Sequence, residues 1–120
     1  MVENRRFKLG RRLLLILDEA KQKPSACLWF YVSEGDIWRL FIAYKKSGAV
    51  VTSEIYRKFI ENYGGSEVVK EIGLENITIM YDDDGFLTFL RSAINTNSEI
   101  RFKSNVINGI LVDDSYIYRL

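Results

Sequence analysis

Two clusters of carboxylates follow apolar segments of the chain: Asp82, Asp83 and Asp84 in one, Asp113 and Asp114 in the other. Carboxylates at strand ends are common magnesium ligands in phosphoryl-transfer sites, because this hard cation prefers oxygen ligands. If the two clusters meet at one end of a sheet, the ligands would be Asp82, Asp83, Asp113 and Asp114, with Arg91, Arg101 or Lys103 near the phosphate. This pattern makes a magnesium-dependent nuclease or phosphoryl-transfer domain one candidate function.

A structural role explains the same aspartates without a metal. An amphipathic segment begins directly after Asp84, and an aspartate at a helix N-cap accepts backbone N–H groups and offsets the helix dipole, worth about 1 kcal/mol. Asp82 and Asp83 are then ordinary turn residues between a strand and a helix. No P-loop or GxSxG motif is present in the sequence. Capping and turn roles are therefore favoured over metal binding, and no cofactor is expected.

The chain has no histidine and a single cysteine, Cys27. The lack of histidine removes the commonest general base, the usual zinc ligand and every Ser-His or Cys-His nucleophile. Cys27 lies within the apolar run ACLWFYV, so we expect a small buried side chain rather than a reactive thiol. Both observations favour a protein that is not an enzyme.

A basic block near the N-terminus is the main candidate for nucleic-acid binding. It consists of Arg5, Arg6, Lys8, Arg11 and Arg12. These side chains could neutralise phosphates, which would make the protein a nucleic-acid-binding accessory protein. However, residues 1–12 hold five of the 17 basic side chains and one of the 16 acidic ones, so the rest of the chain is mildly acidic. Because that body would repel nucleic acid, this function is possible but not favoured.

Aromatic residues are abundant, with seven tyrosines, seven phenylalanines and two tryptophans. Residues 27–32 and 37–44 predict a β-hairpin whose strands are apolar on both faces. Such strands are either covered on both faces by the chain itself or buried on one face by a partner. For the partner alternative, the predicted interface residues are Trp29, Tyr31, Trp38, Tyr44, Tyr116 and Tyr118. Residues 116–120 are predicted to form an edge strand that could pair with another chain.

The order of predicted elements indicates an α+β fold. A helix over residues 6–23 ends before Pro24 and precedes the hairpin; two helices, a strand over 77–81, a helix over 86–94 and two or three final strands follow. Turns are expected at Asn108-Gly109 and at Asp113-Asp114-Ser115. We therefore predict a mixed, mostly antiparallel sheet of five to six strands with helices packed on one face.

Length and composition predict one domain over residues 1–120, with 48% hydrophobic and 28% charged residues. The longest apolar run, LLLIL, is far shorter than the roughly 20 residues that span a bilayer. It also ends in Asp18 and Glu19 rather than in the small residues of a signal peptide, so a cytoplasmic location is expected. The favoured function is a non-enzymatic protein-interaction module that self-associates or binds a protein partner, without a membrane partner.

Overall fold

A computed structural model describes residues 2–32, 35–45, 52–94, 99–107 and 110–120. The side chains of 2–4, 52–53, 93, 103–107 and 110–113 are outside this description, as is the expected turn at Asn108-Gly109. The helices are α1 (Val2–Glu19), α2 (Thr52–Tyr63), α3 (Glu67–Ile72) and α4 (Gly85–Ala93). The strands are β1 (Ala26–Val32), β2 (Ile37–Tyr44), β3 (Ile77–Tyr81), β4 (Ile100–Ile107) and β5 (Ile110–Arg119), and a 3₁₀ turn (Leu74–Asn76) precedes β3.

The strands form one open five-stranded sheet in the order β3-β2-β1-β5-β4. Three of the four neighbouring pairs are antiparallel, whereas β2 and β3 are parallel. Parallel strands need a crossover connection, and α2 and α3 lie within it. The predicted α+β class, with a mixed and mostly antiparallel sheet, is confirmed.

The two sheet faces are covered by different helices. Strand alternation sends Cys27 and Trp29 into a core formed with α1, α2 and α3. The intervening residue Leu28 joins a second core with Leu87 and Leu90 of α4. We call the second side of the sheet the α4 face. The sequence predicted helices on one face; α4 lies instead on the other, because the strands are apolar on both sides and each side needs cover.

Helix α1 ends at Glu19, four residues before the predicted end. Lys21 adopts a left-handed conformation with φ of 59°, and the Gln22 amide donates to the Leu17 carbonyl at 2.9 Å. This is the hydrogen-bond pattern of a Schellman motif, which glycine usually closes. The helix therefore stops before Pro24 has any steric effect on it.

Strand β5 runs without interruption through the predicted turn at Asp113-Asp114-Ser115. The Ser115 hydroxyl donates to the Trp29 carbonyl at 2.9 Å, and Arg101 binds both oxygens of Asp114 at 3.1 and 2.8 Å. The prediction of a turn was wrong because neighbouring strands satisfy these polar side chains within the sheet.

Candidate functional site

The first acidic cluster divides into a cap and two turn residues. Asp84 is the N-cap of α4, and its carboxylate accepts a hydrogen bond from the Phe86 amide at 2.8 Å. The predicted capping role is confirmed. Asp82 accepts a hydrogen bond from the Ser25 hydroxyl at 2.9 Å, and Arg91 donates to the Asp82 carbonyl at 3.1 Å. Asp82 therefore connects the end of β3 with the start of β1 and with α4.

Replacing Asp84 with alanine should lower the free energy of unfolding by about 1 kcal/mol, because the Phe86 amide loses its acceptor. Asp84→Asn is the matched control, since its side-chain oxygen keeps the cap, and it should cost a few tenths of a kcal/mol. Urea unfolding followed by circular dichroism measures both values. Equal losses in the two variants would contradict a capping role.

The two acidic clusters do not come together. Asp114 lies within β5, three strand positions from β3, and is paired with Arg101 at 2.8 Å. By strand register Asp114 is level with Tyr31 and Trp38, whereas Asp82 lies beyond the paired Tyr44 at the other end of β2. Three inter-strand spacings and about six residues of strand put Asp82 and Asp114 roughly 20 Å or more apart. The two carboxylates cannot share one ion.

The other predicted magnesium ligands do not form a metal site in the described part of the chain. Asp83 is exposed, and the side chains of Asp113 and Lys103 are outside the description. Among the described residues, no group of three or more histidine, cysteine, aspartate or glutamate side chains could hold a metal ion. Arg91 and Arg101 contact the acidic residues Asp82 and Asp114.

The basic block lies on α1, and three of its five side chains contact the body of the protein. Arg5 forms an ion pair with Glu71 of α3. Arg6 lies over the Trp38 ring at 5.3 Å and near the Trp29 ring at 5.8 Å, so its guanidinium makes cation–π contacts.

Arg11 donates to both oxygens of Glu99 at 2.7 and 2.6 Å, and these hydrogen bonds lower the pKa of the Glu99 carboxyl. Lys8 and Arg12 are exposed. Much of the predicted phosphate-binding charge is therefore engaged in holding α1 against the sheet and α3.

Two of the six predicted interface aromatics are inside the protein. Trp29 is 2% exposed and Tyr118 is 5% exposed. The Trp29 indole N–H donates to the Tyr118 hydroxyl at 3.1 Å, and that hydroxyl donates to the Phe7 carbonyl of α1. Burial raises the pKa of Tyr118 and keeps the phenol protonated as a donor. These two side chains join α1 to the sheet and cannot contact a partner in this fold.

The other four predicted interface aromatics are partly buried on the same side of the sheet. They are Tyr31, Trp38, Tyr44 and Tyr116. The Tyr31 and Trp38 rings are 5.3 Å apart, and the Tyr116 ring stacks on Phe7 of α1 at 4.3 Å. The sequence left open whether the chain itself or a partner covers this face. Helix α1 packs on it, as the first alternative predicts.

The predicted edge strand is not an edge. Strand β5 lies between β1 and β4, so residues 116–119 are hydrogen-bonded within the sheet. The edges are β3, with five residues, and β4, with eight. The outer side of β4 has no partner strand among the described residues. The terminal position of β5 in the sequence gave no information about its neighbours, which depend on long-range pairing.

The α4 face is an apolar surface that its own helix leaves partly exposed. Helix α4 has nine residues and cannot cover five strands. Partly buried apolar side chains therefore surround it: Phe30, Phe41, Met80, Phe86, Phe89, Ile100, Phe102 and Leu120. Phe30 and Phe86 meet edge to face at 4.9 Å. None of the predicted interface residues lies on this face, although the same strand alternation separates Phe30 from Trp29.

Cys27 is 1% exposed, and burial raises the pKa of its thiol to about 12. The expectation of a buried cysteine is confirmed. In the described part of the chain no helix is both long and apolar enough to cross a membrane. Comparison with protein-family models, with curated proteins and with solved structures gave no match.

Proposed function

We propose that this protein is a non-enzymatic interaction module that forms a homodimer through the α4 face and the adjoining edge strand β4. The observation that carries the proposal is the group of partly buried apolar side chains around α4, which reaches β4 at Ile100 and Phe102. Aromatic side chains are enriched at protein interfaces and often dominate the binding energy. The surface differs from the predicted one, but the proposed function remains self-association.

A second copy of the chain fits this surface for two reasons. Antiparallel pairing of β4 with its copy is symmetric, so the same eight-residue edge serves both partners and the α4 faces become adjacent. The net charge of +1 also means that two copies repel one another only weakly.

Light scattering of the wild-type chain should give the mass of a dimer at micromolar concentration. Phe102→Lys should raise the dissociation constant about tenfold or more, because a buried ammonium at the interface lacks a partner. Leu15→Lys is the control: Leu15 is 54% exposed on α1, and its replacement should leave the mass unchanged. Thermal unfolding verifies that both variants fold.

A wild-type chain that stays monomeric at millimolar concentration would refute the homodimer. Equal dissociation by Leu15→Lys and Phe102→Lys would show that the α4 face is not the interface. The alternatives have less support, since Asp114 is bound to Arg101 and three of the basic side chains contact the protein itself. We also propose a cytoplasmic location, because the buried Cys27 is a free thiol and free thiols are usual in reducing compartments.

A further inference from the structure

A pocket of about 290 Å³ opens at the carboxyl end of the only parallel strand pair among the described strands, β2 and β3. The last residues of these strands, Tyr44 and Tyr81, are paired side by side and form its floor. Helix α2 supplies Lys58, Asn62 and Tyr63, which form one wall. The crevice beyond the carboxyl ends of parallel strands is where α/β sheets commonly bind ligands.

The pocket combines aromatic surfaces with positive charge. Tyr63 is half-buried and its ring packs against the buried Phe59 ring at 5.5 Å, so an aromatic ring lines the α2 side of the pocket as well as the sheet side. Lys45 follows β2 and Lys58 lies on α2, and both residues are exposed and line the pocket. No carboxylate is among the described residues that line it.

Two polar groups could also orient a ligand. The Tyr44 hydroxyl can donate a hydrogen bond, since a phenol is protonated at neutral pH and burial raises the pKa of Tyr44 further. The Asn62 side chain offers both a donor and an acceptor at the rim. A few convergent polar groups in a largely aromatic concavity are typical of small-molecule sites.

The charges decide between two kinds of aromatic-pocket ligand. Rings alone attract cations through their faces. Carboxylates act on the pocket's tyrosines from outside its lining, Glu54 and Asp83 on Tyr81 and Asp18 on Tyr44. Lys45 and Lys58 are lining residues themselves, so an anion beside them would meet both positive charges directly, whereas a cation there would be repelled. We infer that the pocket binds a small planar molecule that carries one anionic group, with its ring between Tyr63 and Tyr81 and its anion at Lys45 and Lys58.

This site lies at β2 and β3, whereas β4 is the opposite edge of the sheet, so the site does not depend on the homodimer. Titration with 4-hydroxybenzoate and with phenyl phosphate, followed by NMR of the tyrosine ring resonances, tests it. Each probe has one ring and one anionic group, and the phosphate carries the larger charge at neutral pH. Comparing the two affinities at about pH 5, where both probes are close to monoanionic, distinguishes a carboxylate ligand from a phosphate ligand. Saturable binding of at least one probe is expected.

Benzyl alcohol and benzyltrimethylammonium are the matched neutral and cationic probes. Each should bind about tenfold more weakly than the better anion, or not at all. Stronger binding of the cation would overturn the inference, and so would equal binding of all four probes. Absence of binding by both anions at millimolar concentration would overturn it as well.

Variants separate the two parts of the site. The double variant Lys45→Gln, Lys58→Gln should reduce the affinity for the anionic probes about tenfold and remove the preference for charge. The double variant Lys8→Gln, Lys70→Gln, on α1 and α3 and outside the pocket lining, removes the same number of charges and should bind like the wild type. Tyr81→Leu should weaken all ring-containing probes alike. Unchanged affinity in the double variant would contradict the anion position.

Discussion

Replacing Trp29 with alanine should lower the free energy of unfolding by about 3–5 kcal/mol, the range for large-to-small changes in a core. The side chain is 2% exposed and lies among residues of α1 and three strands. Its removal leaves a cavity and takes away the indole N–H that donates to Tyr118. Both losses act within one chain, so the variant should be destabilised at concentrations where no oligomer forms.

Urea unfolding measures this loss, and two further variants separate its causes. Trp29→Phe keeps a ring in the cavity but loses the donor, so about 1–2 kcal/mol should be lost. Trp38→Ala removes a partly buried indole, which should cost less than Trp29→Ala although Arg6 also loses a cation–π contact. A Trp29→Ala variant within 1 kcal/mol of the wild type would mean that the side chain is not in the core.

If Trp29→Ala leaves no folded protein, Trp29→Phe still tests the assignment. If Trp29 is an interface residue, the substitution should lower the dimer affinity and leave the stability of the monomer almost unchanged. If Trp29 is a core residue, the substitution should lower the stability of the monomer and leave the dimer affinity almost unchanged. The measurement therefore decides directly between the sequence interpretation of Trp29 as an interface residue and its buried position in the fold.

Strand alternation predicted much of the fold because it is a local property. The hairpin of β1 and β2 was recognised from aromatic and β-branched runs, and the separation of Trp29 from Leu28 onto opposite faces followed from the two-residue period. The cap at Asp84 was equally local, since its acceptor and the Phe86 amide are two residues apart. These features need no knowledge of distant segments.

Strand neighbours and buried polar pairs were beyond local reasoning. Asp114 resembled a turn residue because carboxylates are depleted in strands. It is instead bound by Arg101, thirteen residues earlier on the neighbouring strand. The magnesium hypothesis needed Asp114 at a strand end, so the error in the strand boundary became an error in the candidate site. The predicted interface residues lie on the face that α1 covers for a similar reason, because periodicity separates the two faces of a sheet without saying which helix covers each.

The basic block also gains a physical explanation from its long-range contacts. Arg11 binds Glu99, and Asp18 near the other end of α1 is bound through both oxygens by Arg119 of β5 at 3.0 and 2.8 Å. The hydrogen bonds from Arg119 lower the pKa of Asp18. Because the pKa of Asp18 is lower in the folded state than in the unfolded state, this carboxylate stabilises the fold at pH values above its unfolded-state pKa. The stabilisation is lost as the pH falls through the folded-state pKa. The charges on α1 hold it on the sheet.

Helix α1 approaches the sheet closely at Gly10, and Gly10→Ala should lower the free energy of unfolding by about 1–3 kcal/mol. A β-carbon at this position would overlap the Tyr118 hydroxyl and lie 2.6 Å from the Trp29 indole nitrogen. These atoms belong to buried rings that are hydrogen-bonded to each other, so they cannot move aside easily. Helix propensity alone predicts the opposite sign, a gain of roughly 1 kcal/mol.

Gly85→Ala is the matched control, because it makes the same change in α4 and its β-carbon would meet no atom within 4 Å. It should stabilise the protein by about 0.4–1 kcal/mol through the unfolded state. Urea unfolding of the two variants in parallel should therefore give changes of opposite sign. A stabilising effect of both would show that α1 does not rest on Trp29 and Tyr118. The sequence predicted the same two side chains, Trp29 and Tyr118, at an interface. That result would therefore favour the sequence prediction over their buried positions under α1.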